Sequence, residues 1–517
     1  MLAEGSITQN EWETLSAQDV VTNPKPLRRG TSHLYDKVVE LTREIVGDDA
    51  MSRGGFNIFT TVDRDVQTAA NDTLRQHLLQ IEKHPDYTHP LFSEHDRTSG
   101  KPPVYLQGAV LAIDSSTGAV IAHVGGREFR HSQYDFIESG RRPLGTAFLP
   151  FVYAAAFENG SNPATRVDDL PLDAREVMLG GTEGILGEWG PEIMDPIYQG
   201  EITLRQALRN SKIASTVRVG VDVGLAAVAS QSKKFGLPLE SGELLSRLLL
   251  GWEQNSLWQA VRAYSAFARN GRAPDDLYYI DRIENVDGQL IYTAPQSKAA
   301  TREVCDSATA YQIHSILADN LSKGNLTEIA DTLLEPELAV VKSGTNYNFS
   351  DGWALGYNGT LTCGVWVGFF EGRKPIYEFA FGKDLAIPVW SQIMNAASTD
   401  FPGQNLTRPP TLKTINLCST SGRKVTRYCY ESVFDPELGL SLVSTAYPEY
   451  VRVTDPEIGL CPVHGSGGVT PSMAFAPDTD GARQRRLSVS PLWVTNNALL
   501  GNDPYNSVVL SIPEKQT

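Results

Sequence analysis

Apolar positions along the chain follow two different periods. After a short β-like run at 56–62, Val66, Ala69, Leu74, Leu78 and Ile81 recur at close to helical spacing, which predicts a helix over 64–83. Gln107–Asp114 and 119–125 are strand-like, and Ser115-Ser116-Thr117-Gly118 between them supplies the turn of a hairpin. A helical region begins near Gly145, and helical patterns return at 204–219, Leu225–Phe235 and 256–270. A second strand set follows at 339–345, 352–357 and 361–369, with Asn358-Gly359 as a tight-turn signal between the last two. Strands at both ends of a helical middle predict an α+β core whose sheet is completed by segments distant in sequence. At the front, Thr8 is placed to cap a helix with Glu11 three residues later.

Polar stretches divide these elements. A Pro- and His-dotted segment at 84–103 reads as a loop, and Gly, Pro and acidic residues rise between 160 and 199. Within that excursion, 168–201 carries Glu183, Glu188, Glu192 and Asp195 and is a candidate cover or docking surface. The expected organisation is a lead segment at 1–55, a linker helix region at 56–105, a core domain at 106–400 and an extension at 401–517. A chain of 517 residues is long enough for several cores at roughly 100–200 residues each.

Charge narrows the partners. Against 45 basic side chains stand 61 acidic ones, a formal charge of −16, which argues against a uniformly basic nucleic-acid binder. The longest greasy run, 149–157, is interrupted by Pro150 and falls far short of the ~20 residues that cross a bilayer. The first residues do not read as a signal peptide. Of five cysteines, Cys305 and Cys363 sit in mixed or apolar surroundings and read as core thiols, while Cys418, Cys429 and Cys461 cluster late, with His464 after the last. Four zinc ligands would be complete there, but no short C-x2-C knuckle is present, so one disulfide with a leftover thiol is the favoured reading and no metal is expected.

The chemistry is most legible at Arg141-Arg142-Pro143-Leu144-Gly145-Thr146-Ala147-Phe148-Leu149-Pro150-Phe151-Val152-Tyr153, which resembles the active-site helix of penicillin-binding proteins, R-x-P-G-S-x-x-K-P-F-x-Y. Phe59-Thr60-Thr61-Val62-Asp63, Ile202-Thr203-Leu204-Arg205-Gln206-Ala207-Leu208 and Ala263-Tyr264-Ser265-Ala266-Phe267 are similar to other segments of the bifunctional, class A members. Lys342-Ser343-Gly344-Thr345 resembles the family's K-[ST]-G-T strand, and Cys418…Cys429…Cys461-x-x-His464 resembles a class A tail. The resemblance implies a penicillin-binding protein or serine β-lactamase-like fold, an antiparallel sheet flanked by helices. It implies acyl transfer between peptidoglycan stem peptides, without a cofactor: a serine attacks the D-Ala–D-Ala carbonyl, a lysine one turn later takes its proton, a Ser-x-Asn element assists, and the Lys342–Thr345 strand holds the substrate.

Three positions depart from that pattern. Thr146 stands at the serine, Leu149 at the lysine and Ile213 at the asparagine of a segment in which Ser211 remains. Leucine cannot accept a proton, and loss of one member of such a cooperating unit typically costs about 10⁴–10⁶ in rate. Threonine keeps the hydroxyl but adds a methyl that crowds attack and restricts χ1. Lys212, next to Ser211, is expected to point to solvent. Arg141 and Arg142 read as a surface pair or as a frame for the groove, and His131 and Tyr134 as a loop beside the active site or as simple packing. Three functional readings follow: a transpeptidase-like domain that has lost catalysis and binds stem peptides or cell-wall synthesis proteins; a working transpeptidase or carboxypeptidase that uses Thr146 with another base; or a partner-binding protein with a filled groove. The opening residues 1–21 resemble the end of a family glycosyltransferase, which implies either a fragment, whose parent would be anchored in the inner membrane with this part in the periplasm, or a product that begins late.

Overall fold

The computed structural model describes residues 7–16, 32–96, 102–172, 197–239, 244–294, 300–372, 374–435 and 439–464, with strand fragments at 472–474, 486–488 and 509–510. The acidic residues Glu183, Glu188, Glu192 and Asp195 lie outside the described residues. At the front, Thr8 and Glu11 bond reciprocally: the Thr8 backbone N–H donates to the Glu11 carboxylate at 2.8 Å and the Glu11 N–H to the Thr8 hydroxyl at 3.3 Å.

Helix α1 (Arg64–Ile81) starts at Asp63, whose side chain accepts from the N–H groups of Asp65 and Val66. The hairpin follows as β1 (Gln107–Asp114) and β2 (Val120–Val124), and a 3₁₀ turn at Gly145–Phe148 runs directly into α2 (Leu149–Glu158). Next come α3 (Leu204–Arg209), α4 (Ile213–Val223), α5 (Leu257–Ala268) and α6 (Ser307–Lys323). Strands β3 (Val340–Thr345), β4 (Asp351–Tyr357) and β5 (Leu361–Gly368) then precede α7 (Ile387–Ala397). The strands form one antiparallel sheet in the order β3-β4-β5-β1-β2, so the late strands join the early hairpin across more than two hundred residues, as Leu361 opposite Asp114 and Gly368 opposite Gln107.

The sheet is buried on both faces, which explains its near-continuous apolar sequence. Ala109, Leu111 and Ile113 of β1 turn to a core shared with α2, α4 and α5, while Val110 and Ala112 turn to α1 and α7. Cys363 and Cys305 are buried thiols in these two cores, as the sequence predicts. Every residue of α2 from Leu149 to Phe157 is buried, so the helix is apolar all round and carries no solvent stripe. Among the described residues no single helix is long and apolar enough to cross a membrane.

The predicted helix at 204–219 is broken in two. Ser211 adopts a left-handed conformation (φ 57°), and the N–H groups of Ser211 and Lys212 return to the carbonyls of Leu208 and Ala207. That pattern is a helix-terminating motif in which glycine is the usual residue.

The C-terminal unit is a set of short antiparallel pairs: β6 (Leu412–Cys418) with β9 (Ala446–Arg452), and β7 (Tyr430–Asp435) with β8 (Gly439–Ser444). Its anchor to the core is Arg205 of α3, whose guanidinium forks onto the buried Glu449 carboxylate with two 2.7 Å bonds and reaches Asp319 of α6 at 2.8 Å. The expected disulfide is corrected here: Cys418, Cys429 and Cys461 are all free thiols. They converge with His464 so that the four potential ligand atoms lie within 4.8 Å of one another, an arrangement able to hold a metal ion. Sequence spacing misses this because the ligands come from three separated segments rather than from one short loop.

Candidate functional site

The site is built where the 3₁₀ turn presses against the free edge of β3. Gly145 (φ 55°) makes the approach possible: a Cβ there would sit 2.1 Å from the Thr345 carbonyl oxygen, so only glycine fits. Tyr264 of α5 holds the turn from beneath, donating its hydroxyl to the Ala147 carbonyl at 2.6 Å. Thr146 is thereby placed against the strand and is only 5% exposed. Its Oγ1 donates to the Ser343 carbonyl at 3.3 Å and accepts from the Thr345 N–H at 3.2 Å. One hydroxyl therefore occupies both the acceptor and the donor that this strand turns away from β4.

Lys342 is buried and donates from Nζ to the same Ser343 carbonyl, at 2.8 Å. Burial brings its pKa down to about 7. Ser343 is half-buried, Gly344 packs under Ala147, and the Thr345 hydroxyl accepts from the Gly382 N–H at 2.8 Å. The four residues Lys342, Ser343, Gly344 and Thr345 thus sit beside Thr146, as their motif implies.

The other expected site residues take different roles. Leu149 is completely buried as the first residue of α2 and belongs to the main apolar core, so the position of the expected base is filled by hydrocarbon. Ile213 opens α4 and is also core. Ser211 is half-buried in the left-handed turn described above. Lys212 does not point to solvent: its amine donates to the Ile197 carbonyl at 2.6 Å and lies 3.5 Å from the Asp169 carboxylate. A buried ammonium needs such partners, and they commit it elsewhere than to a proton-transfer role.

Arg142 is not one of a surface pair. Its guanidinium donates to the carbonyls of Phe369 and Phe370, and its Nε lies 3.5 Å from the buried Asp351, whose carboxyl pKa is raised by desolvation. Asp351 also accepts from Trp366 Nε1 at 2.9 Å and from Asn346, so this network braces β4 and β5 behind the site. Arg141 is exposed and bonds Gln259. His131 bonds the Tyr105 hydroxyl at 2.8 Å through Nδ1 and stacks on Phe92, and Tyr134 donates to the Ser139 carbonyl, which is packing. Sequence reasoning missed Tyr264 and Gly382 as positioning groups; the first sits in a recognisable motif, but nothing in the sequence marks the second.

A model of the penicillin binding protein transpeptidase domain matches residues 108–382, more than half of the chain. The chain belongs to the penicillin-binding-protein transpeptidase family. Its transpeptidase domain is 30% identical over 306 residues to penicillin-binding protein 1A of Neisseria lactamica, covering 59% of this chain and 37% of the relative. Against penicillin-binding protein 1A of Pseudomonas aeruginosa it is 29% identical, covering 61% of this chain and 43% of the relative. The matched regions thus span well under half of these relatives' length. The fold is that of solved penicillin-binding proteins: the 1A protein of Haemophilus influenzae superposes with a TM-score of 0.69 at 17% identity, over 89% of this chain and 81% of that one. PonA1 of Mycobacterium tuberculosis superposes with a TM-score of 0.59 at 20% identity, over 73% of this chain and 94% of that one. Thr146 and Leu149 lie within the matched transpeptidase domain.

Proposed function

We propose that this penicillin-binding-protein domain does not catalyse transpeptidation and serves cell-wall synthesis as a scaffolding module for stem peptides or for other wall-synthesis proteins. The observation that carries the reading is the state of the Thr146 hydroxyl, bonded on both sides to the β3 backbone, with Leu149 buried where a base is required. Acyl transfer needs three events at that hydroxyl: loss of its proton, approach of a carbonyl carbon and stabilisation of the oxyanion that forms. Leu149 and Ile213 offer no acceptor for the proton. The Thr345 N–H, aimed at Oγ1, is already committed. Such a domain would act on the extracytoplasmic face of the membrane, where peptidoglycan is assembled, and requires no cofactor for this role. The test is release of D-alanine from a pentapeptide ending in D-Ala–D-Ala: the chain should release none above background, and steady turnover would overturn the reading. Calorimetry with the same peptide then separates its two forms, since binding heat identifies a peptide-holding groove and its absence a module for protein partners alone.

A second reading has one specific observation in its favour. The Lys342 amine, neutral in part near pH 7, shares the Ser343 carbonyl with the Thr146 hydroxyl. A small swing of that amine would set it against Oγ1 as a general base, and Thr146 would then be the nucleophile of a slow D,D-transpeptidase or carboxypeptidase. D-alanine release that vanishes in Lys342→Met would select this reading.

A further inference from the structure

Beyond the acyl-transfer site, the densest unassigned chemistry is in the C-terminal unit. Cys418 ends β6, Cys429 immediately precedes β7, and Cys461 and His464 follow β9, yet all four side chains are buried at one point. His464 Nδ1 lies 3.3 Å from Cys418 Sγ and 3.4 Å from Cys461 Sγ. A tetrahedral zinc ion with sulfur at about 2.3 Å and nitrogen at about 2.0 Å places its S and N ligands about 3.5 Å apart, so these separations match a metal-centred cluster. A disulfide would give the imidazole no role between two sulfurs.

The surroundings suit thiolates. The backbone N–H groups of Thr426 and His464 point at Cys429 Sγ (3.2 Å) and Cys461 Sγ (3.4 Å), and the Ser421 hydroxyl donates to Cys461 Sγ at 3.0 Å. Donors aimed at sulfur stabilise the negative charge that three thiolates around one dication leave over. Among the described residues, the apolar cluster of this unit consists of the three cysteines with Val425 packed against them. Small units without a sufficient core are held by disulfides or metals.

We propose that Cys418, Cys429, Cys461 and His464 bind one zinc ion as a closed, structural Cys3His site that ties together the strand ends of the C-terminal unit. Soft thiolates with one imidazole select zinc over magnesium or calcium, and four protein ligands leave no position for water or substrate. On binding, each thiol gives its proton to solvent and no redox change occurs. Because the unit is locked to α3 and α6 through Arg205–Glu449, and through Gln312 of α6 to the Tyr450 carbonyl at 2.9 Å, the metal would also stabilise the flank of the transpeptidase domain.

The full chain, purified without chelator, should retain one equivalent of zinc through dialysis. It should lose thermal stability when the metal is stripped under reducing conditions and regain it on adding zinc. Cobalt loaded in its place should give the thiolate charge-transfer and visible bands of a tetrahedral site. Cys429→Ser and His464→Ala should drop metal retention to near none, while Cys363→Ala keeps it. If the ligand variants fail to fold, the cobalt spectrum of the unaltered chain still decides. A metal-free chain whose melting ignores zinc, a disulfide among these cysteines in the non-reduced protein, or full retention in Cys429→Ser would overturn the site.

Discussion

The Lys342 amine and the Thr146 hydroxyl donate to the same oxygen, the Ser343 carbonyl, at 2.8 and 3.3 Å. Two polar side chains of the candidate site therefore meet at a backbone acceptor rather than at each other. The arrangement is self-satisfied: it uses the hydrogen-bonding capacity of the β3 edge that a bound peptide strand would otherwise take up.

Burial of Lys342 makes stability depend on pH. Its pKa falls from 10.5 to about 7 on folding. Below pH 7 both folded and unfolded chains carry the proton, and the folded state bears the full desolvation penalty. Between pH 7 and about 10.5 the unfolded chain binds more protons, so this group's penalty shrinks as pH rises. Lys342→Met should therefore raise the melting temperature most at and below pH 7, with the gain fading toward pH 10. Melting curves from pH 6 to 10 check this; a gain independent of pH would contradict it.

The Thr146 hydroxyl should matter for stability, since it satisfies a carbonyl and an N–H on β3 at once. Thr146→Val, nearly isosteric, removes the acceptor of the Thr345 N–H while the Ser343 carbonyl keeps Lys342, and should cost about 1–2 kcal/mol, whereas Thr146→Ser should cost well under that. Urea unfolding of the two variants measures the difference. Equal stabilities would mean that the hydroxyl bonds contribute nothing.

Ser211 is held in the left-handed region at the end of α3. A left-handed conformation costs a non-glycine residue roughly 1–2 kcal/mol, partly offset in glycine by the entropy of its unfolded chain. Ser211→Gly should thus stabilise the chain by up to about 1 kcal/mol in equilibrium unfolding. A loss instead would show that the serine hydroxyl makes a contact worth more than the strain.

Much of this architecture could be read from local patterns. Short apolar runs bounded by turn residues mark the hairpins, because a strand buried on both faces is near-continuously apolar and the Asn358-Gly359 turn, with its glycine at φ 85°, is a local property. The Gly145–Leu149 segment and Lys342–Thr345 were identified by motif, and they do lie together. What escaped were consequences of tertiary packing. The break at Ser211 has no glycine or proline to announce it. The burial of Lys212 depends on Ile197 and Asp169, which are distant or on the far side of a long excursion. The cysteine cluster escapes sequence spacing because its ligands come from three separated segments, of which those of Cys418 and Cys461 are joined by the bridges of Lys424 to Leu417 and to Leu460. Leu149 as core was legible, since its neighbours Val152, Tyr153 and Ala156 already marked an apolar face.

The most direct measurement of the central claim is the intact mass of the chain after prolonged incubation with a penicillin, alongside the triple variant Thr146→Ser, Leu149→Lys and Ile213→Asn. With hydrocarbon at the base position, the unaltered chain should gain no mass, while the variant should gain one penicilloyl group on residue 146. A stable adduct on Thr146 of the unaltered chain would contradict the account, because it would show that the hydroxyl held against Ser343 and Thr345 is still a working nucleophile.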